Sequence, residues 1–465
     1  MYIYNTLSGQ KEDLDNVLGG KKDIRLFVCG PTVYNYIHIG NARTYIAFDN
    51  IVRYLRLTGF KVFYLQNITD IDDKIIRRAN EEKLIPKEIA KKYEKSYHED
   101  EKSLGIDTIT KYAPATRYIK QIVKQVQILI NKSHAYKIED GYYFDLTTFP
   151  DYGKLAKRTV LQAEDSTSRI DENPNKRNKG DFVLWKFSKP GEPFWKTSLG
   201  AGRPGWHIED TAITEYHFGP QYDLHGGAID LKFPHHEAEI AQQEAASGKK
   251  PMVKIWMHPG FLNVGGEKMS KSFKGFITVR EFLKQYPAII LRQIIASHHY
   301  RSSVEYSEAL VEQAKNSLLN TQEFLIKLET IRKGAGAKEN KLMAEWALAN
   351  ADQKFHAAMQ DDFNTPEAMA ALFNLINEIN KNIWELNKKQ AVAVSKFLRQ
   401  KLKIFKIDLK LPKIPSKIKK LVQQRELFRS NKQFIQADRL RKEMEGLGYV
   451  IEDSPIGPVT CQKNL

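Results

Sequence analysis

A short apolar run, Ile24-Arg25-Leu26-Phe27-Val28-Cys29, is cut off by Gly30-Pro31. Such a run bounded by turn formers is the pattern of a strand buried on both faces, as in a parallel sheet. Residues 41–57 then space their apolar side chains as a helix does, Gly59 closes that segment, and Lys61 to Asn67 reads as a second strand. Strand, loop, helix and strand in this order form the first unit of a doubly wound α/β domain. The expected fold is therefore a Rossmann-like parallel-sheet domain whose ligands gather at the carboxyl ends of its strands.

A chain of 465 residues is too long for one ordinary core, so several domains are expected. Residues 1–112 and 200–306 are assigned to the α/β domain, including a loop segment at 260–275. Residues 113–199 are assigned to an insertion, within which 162–180 is polar and loop-like. Helical spacing dominates from Ser307 to Leu402, interrupted at Gly334 and Gly336, so 307–410 is expected to be an α-helical bundle. After the Pro412–Pro415 linker, residues 411–465 form a small terminal module with a basic helix pair and a strand-like end.

The formal charge of +16 is unevenly spread: from Lys381 to Leu465, 20 Lys and Arg face 8 Asp and Glu. A basic, helix-rich end points to a polyanion, nucleic acid first among them. Nothing near the ~20 apolar residues of a membrane-spanning helix occurs, and no secretory pattern opens the chain. Two cysteines, Cys29 and Cys461, are too few for a disulfide framework, and a reducing cytoplasm is the expected setting.

Two segments carry nucleotide chemistry. Pro31 to Asn41 joins the first strand to a helix; Gly40 would permit close approach of a nucleotide ring, and His38 can hydrogen-bond phosphate at the helix N-terminus. Gly265-Gly266-Glu267-Lys268-Met269-Ser270-Lys271-Ser272 reads as a glycine-led loop whose lysines can meet phosphates that gain charge during displacement. A third cluster, His235-His236-Glu237-Ala238-Glu239, puts His235 and Glu239 on one helix face, and Cys29 ends the first strand. A thiolate, an imidazole and a carboxylate make a plausible zinc set with an open position, although spacing alone favours a helix-surface pair and a buried cysteine.

The two nucleotide segments together resemble the HIGH and KMSKS signatures of class I aminoacyl-tRNA synthetases, in the right order and separated by a long insertion. Asn41 stands where the second histidine of the first signature is usual; it can donate a hydrogen bond but carries no charge. Four further segments, Cys29–Tyr34, Thr69–Lys74, Pro204–Glu209 and His225–Glu237, resemble the cysteinyl-tRNA synthetase family in particular. The likeness runs from about residue 2 to 310 and continues more weakly to the end.

That resemblance implies ATP-dependent activation of L-cysteine and its transfer to tRNA(Cys). His38, Asn41, Lys268 and Lys271 take catalytic positions, and Gly40 and Ser270 join them at ATP, with Mg²⁺. Thr69, Trp206, His225 and Asp230 surround the amino acid. Cys29, His235 and Glu239 fall on zinc-ligand positions, one Zn²⁺ per chain. Asp210 stands where many members have a second cysteine; it is either a fourth ligand, the favoured arrangement, or lies behind a three-ligand site. Asp70, Asp72 and Asp73 read as helix caps and pocket organisers, and Cys461 as inert. In the terminal module the family's usual tryptophan is missing, and Lys417, Lys419, Lys420, Arg425 and Arg429 are expected to contact tRNA phosphates. The rival readings are a ligase joining cysteine to an amino sugar, which would lack the basic module, and a non-catalytic RNA-binding paralogue.

Overall fold

The computed structural model describes residues 1–157, 173–268, 276–334 and 342–463. The chain divides into two compact units. One comprises residues 1–286, 300–305 and 361–363; the other comprises 287–299, 306–360 and 364–465.

The first unit opens with a hairpin, β1 (Tyr2–Asn5) and β2 (Gln10–Asp13), so the apolar run singled out above is the third strand of the chain, not the first. That run becomes β3 (Asp23–Val28), followed by the helix Ile39–Leu57, β4 (Lys61–Ile68) and β5 (Lys111–Pro114). An antiparallel sheet follows, built from β6 (Ala135–Ile138), β7 (Gly141–Phe144), β8 (Phe182–Phe187), β9 (Trp195–Thr197) and β10 (Gly200–Pro204), in the order β6-β7-β8-β10-β9. The chain then returns to the parallel sheet with β11 (Tyr222–Gly226) and β12 (Val253–Met257).

The parallel sheet runs β12-β11-β3-β4-β5. Strand order therefore reverses between β3 and β11, and the crevice at the carboxyl ends of those two strands is where such sheets bind ligands. Cys29 follows β3 directly. The helix Ile39–Leu57 begins two residues before the expected Asn41, because His38 caps it, and it ends at Leu57 with Thr58 as its cap. Gly59 beyond it adopts a φ of 92°, a left-handed turn that glycine takes without a Cβ penalty.

The second unit is helical. Glu308–Lys333, Leu342–Gln360, Thr365–Asn380 and Lys388–Ile404 pack on one another, and a helix pair, Ser416–Ser430 with Phe434–Gly446, is closed by the hairpin Tyr449–Glu452/Val459–Gln462. Ile418, Met444 and Ile451 form the small core of this last part. Lys417, Lys419 and Lys420 are exposed. Arg425 is not: it is 3 % exposed and donates to both carboxylate oxygens of Asp453, at 2.8 and 3.0 Å, and to Glu426. Arg429 pairs with the same Asp453. The expectation that Arg425 reaches a phosphate is corrected; residue type alone does not tell an inward guanidinium from an outward one. Arg425→Ala is expected to destabilise this part by about 2 kcal/mol, because it empties a buried site and removes the hydrogen bonds that tie the helix Ser416–Ser430 to Asp453. Limited proteolysis at the 416–462 segment measures it.

Candidate functional site

The end of β3 and the end of β4 touch through backbone. Gly30 N–H donates to Asn67 Oδ1 at 2.5 Å, and a Cβ on Gly30 would lie 1.8 Å from the Asn67 carbonyl oxygen. Just beyond, Val33 N–H donates to the Thr69 carbonyl and Thr69 N–H to the Pro31 carbonyl, both at 3.1 Å. This stitching carries the 30–38 loop over the crevice. Gly30→Ala is expected to cost about 3 kcal/mol, since a backbone oxygen inside a strand pair cannot step aside; thermal unfolding reads it directly.

At the far end of that loop His38 caps the helix. Its Nδ1 accepts from Asn41 N–H and Asn41 Oδ1 accepts from His38 N–H, both at 3.2 Å, a capping box. The bare Nδ1 leaves Nε2 as the ring's donor when neutral. Asn41's carbonyl end is committed to the backbone, so its amide nitrogen is the part able to face a phosphate. Gly40 is required here for His38, not only for an incoming ring: a Cβ at Gly40 would lie 2.8 Å from His38 Nδ1. Antiparallel bonds join this segment to the next one used in the site, with Ile39 N–H on the Ile277 carbonyl and Val279 N–H on the Ile37 carbonyl, both at 3.0 Å. Of the second nucleotide segment, Lys268 is described by its backbone, paired with Asn263. Its side chain, Ser270 and Lys271 lie outside the described residues.

Below the loop four potential ligands converge from three elements. Cys29 follows β3, Asp210 stands in the first turn of the helix Ile208–Phe218, and His235 and Glu239 share one face of the helix His235–Ser247. His235 Nε2 lies 3.0 Å from Asp210 Oδ2 and 3.2 Å from Glu239 Oε1. Cys29 Sγ lies 3.7 Å from Asp210 Oδ2 and 4.0 Å from Glu239 Oε1. All four are buried, and their ligand atoms fall within 4.8 Å of one another.

The electrostatics of this cluster call for a cation. Burial, then Glu239 and Asp210, pushes the Cys29 thiol well above its usual range. Burial, then Asp210, does the same to the Glu239 carboxyl. Asp210 Oδ1 and Glu239 Oε2 are buried with no hydrogen-bond partner among the described residues, and no Lys or Arg there pairs with either carboxylate. Three adjacent buried acids with imidazoles but no Lys or Arg beside them are costly unless a metal ion neutralises them. A thiolate, an imidazole and two carboxylates form an acceptable donor set for zinc.

A second grouping shares Cys29 and Glu239 but uses His225 and His236. The cavity distinguishes them. A space of about 350 Å³ is lined by Cys29, Asp210 and His235, together with His38, Gly40, Asn41, Thr69, Trp206 and Asp230, whereas neither His225 nor His236 reaches it. His225, expected beside the amino acid, sits inside the buried strand β11 with its Nε2 3.5 Å from the Cys29 sulfur.

The remaining expected residues meet at this cavity. Thr69 Oγ1 donates to Glu209 at 3.0 Å, and Trp206 stacks on His235 with ring centres 4.3 Å apart. Asp72 caps the helix Asp73–Glu82, Asp70 accepts from Thr116 and Asp73 pairs with Arg203 and Lys186. Sequence reasoning passed over Lys74, whose ammonium sits 5.6 Å from the Trp206 ring centre and 5.7 Å from that of Tyr34. Lys74, Trp206 and Asp230 also line an adjoining space of about 910 Å³ that carries Arg77, Lys186 and Arg203. The one available signal was Lys74's place at the end of the Thr69–Lys74 segment.

Comparisons with known proteins follow the same lines. A family model described as the catalytic domain of class I (C) tRNA synthetases matches residues 16–316, and one for the DALR domain matches 354–410. The cysteine–tRNA ligase of Thermococcus gammatolerans is 43% identical over 475 residues, covering 98% of each chain. That of Thermoplasma volcanium is 42% identical over 457 residues, covering 97% of this chain and 98% of the other. Among solved structures, the methionyl-tRNA synthetase of Mycobacterium tuberculosis in complex with methionyl-adenylate superposes with a TM-score of 0.60 at 15% identity, over 83% of this chain and 90% of that one. A leucyl-type ternary complex from Agrobacterium radiobacter, described as LeuRS-tRNA-LeuAMS, gives 0.62 at 9% identity over 83% of each chain. At these identities the structural likeness speaks to the fold.

Proposed function

The chain belongs to the cysteine–tRNA ligases of the class I aminoacyl-tRNA synthetases, and from that premise we propose that it activates L-cysteine with ATP and transfers it to the 3′ end of tRNA(Cys). The observation that carries the cysteine reading is the buried quartet of Cys29, Asp210, His235 and Glu239, the first three of which line the cavity together with His38 and Thr69. In this reading one zinc per chain is held by those four residues. When bound, zinc supplies a soft Lewis acid that prefers the substrate's sulfur to a hydroxyl oxygen.

The chain's own residues do the rest. Trp206 forms a flat wall, and Thr69 and Asp230 hold the amino acid's charged ends. The substrate carboxylate then attacks the α-phosphate of ATP, giving cysteinyl-adenylate and pyrophosphate. His38 Nε2, the Asn41 amide, Lys268 and Lys271 stabilise the charge that grows on the phosphates, with Mg²⁺ on the triphosphate and Gly40 and Ser270 completing the ATP site. No side-chain nucleophile is required; positioning supplies the rate. Residues 1–112 and 200–306 make up the catalytic domain, 113–199 the insertion, 307–410 the bundle and 411–465 the module that meets the anticodon. No described helix is long and apolar enough to cross a membrane, and we place the reaction in the cytoplasm.

Cysteine-dependent ATP–pyrophosphate exchange, followed by charging of tRNA(Cys), tests this reading. Exchange without charging would favour the amino-sugar ligase, and no exchange the non-catalytic paralogue. For the metal, Asp210→Ala is expected to weaken zinc binding by more than about 100-fold, beyond the range of residues that merely orient a ligand. Zinc content and chelator competition decide it, and an unchanged affinity removes Asp210 from the ligand set.

A further inference from the structure

Cys29 has two neighbours that the metal reading leaves without a task. His236 Nε2 lies 3.2 Å and His225 Nε2 3.5 Å from its sulfur. A metal-bound thiolate has no proton to give, so a ring nitrogen beside it acts as the donor. For His236 this puts the ring's single proton on Nε2 and leaves Nδ1 bare. The group facing that nitrogen is His258 Nε2, at 2.8 Å. His258 must then carry its own proton on Nε2 and accept on Nδ1, and Nδ1 meets Thr6 Oγ1 at 2.9 Å. A hydroxyl can rotate its proton into either role, and here it must donate.

We propose that Thr6 is a positioning residue of the metal centre: acting through His258 and His236, its hydroxyl fixes an N–H donor on the Cys29 thiolate. The chain of bonds has one consistent direction, from Thr6 to sulfur. Its origin is anchored, since Thr6 N–H donates to the Trp256 carbonyl at 2.9 Å and Asn5 Oδ1 accepts from Trp256 N–H at 3.0 Å. A second, shorter row ends on the same sulfur: Tyr222 OH lies 2.6 Å from His225 Nδ1, which also stands 3.7 Å from Glu239 Oε2. His225 and His236 are fully buried, so water cannot substitute for either donor. The chemical effect follows from charge. One thiolate and two carboxylates around a dication leave an excess of negative charge, and N–H dipoles aimed at the sulfur offset it.

This inference rests on the metal reading, and the test separates the two. The full-length chain, stripped of metal, is titrated with zinc in competition with a chelator, and its Co²⁺ form is followed by the thiolate-to-metal absorption band. Thr6→Val keeps the shape and removes the hydroxyl, while Thr6→Ser restores it. Thr6→Val is expected to bind zinc about 10- to 100-fold more weakly and to move the cobalt band to lower energy, because a sulfur that loses a donor is richer in electrons. Thr6→Ser is expected to restore both. A Thr6→Val chain that matches wild type in affinity and band overturns the inference. So does a weakened affinity with an unmoved band, or one that serine does not rescue, since packing alone would then explain it. A wild-type chain that takes up no zinc overturns the metal reading itself, and the inference with it.

Discussion

Cys29→Ser is expected to reduce the preference for cysteine over serine to about 10–200-fold, the level that an apolar pocket reaches for two ligands differing by a single group. The two substrates share every atom except sulfur or oxygen, so shape offers almost nothing to distinguish them. Discrimination in this reading comes from a metal whose softness depends on its own ligands. Of the four proposed ligands Cys29 is the only sulfur. Serine in its place leaves a hard, oxygen-rich set and two imidazoles, His225 and His236, facing a poorer acceptor. Zinc content should fall together with cysteine activation. The measurement is pyrophosphate exchange with each amino acid over a range of concentrations, beside metal analysis of the same protein. Undiminished discrimination would show that selection lies elsewhere in the pocket.

The second large effect is at His38. His38→Asn is expected to slow pyrophosphate exchange by about 10²–10³-fold, the usual loss when one donor to a developing oxyanion is removed. The choice of asparagine matters because His38 has two separable jobs. Its Nδ1 caps the helix Ile39–Leu57, and its ring is part of the cavity wall. Asparagine is a good N-cap, so the helix start is preserved and the melting temperature should stay close to wild type. His38→Ala removes the cap as well and should cost about 1 kcal/mol more in stability. If the asparagine variant kept wild-type kcat, the ring would be a cap and nothing else.

How much of this was legible beforehand depended on how local the physics was. The βαβ opening was readable because apolar periodicity and the Gly30-Pro31 break act over a few residues. The His235/Glu239 pair was readable because a helix repeats every 3.6 residues and puts i and i+4 on one face. The hairpin β1–β2 was passed over because four-residue strands carry almost no periodic signal. Arg425 was misjudged for a related reason: both its guanidinium NH groups turn to Asp453, 28 residues away, a partner that local sequence does not reveal.

The sequence by itself determined the parallel-sheet domain and supplied the residues proposed to carry the chemistry, the two nucleotide segments among them. Each of these is written in short stretches, where backbone preference and residue spacing act directly. Only the tertiary structure decided which of them meet. Cys29 and Asp210 are 181 residues apart, and Cys29 and Glu239 are 210 apart. They converge because strand order reverses between β3 and β11 and opens one crevice at both strand ends. The same closure placed His225 against the sulfur, and it brought Thr6, which no motif marks, to the start of a row of hydrogen bonds that ends on Cys29.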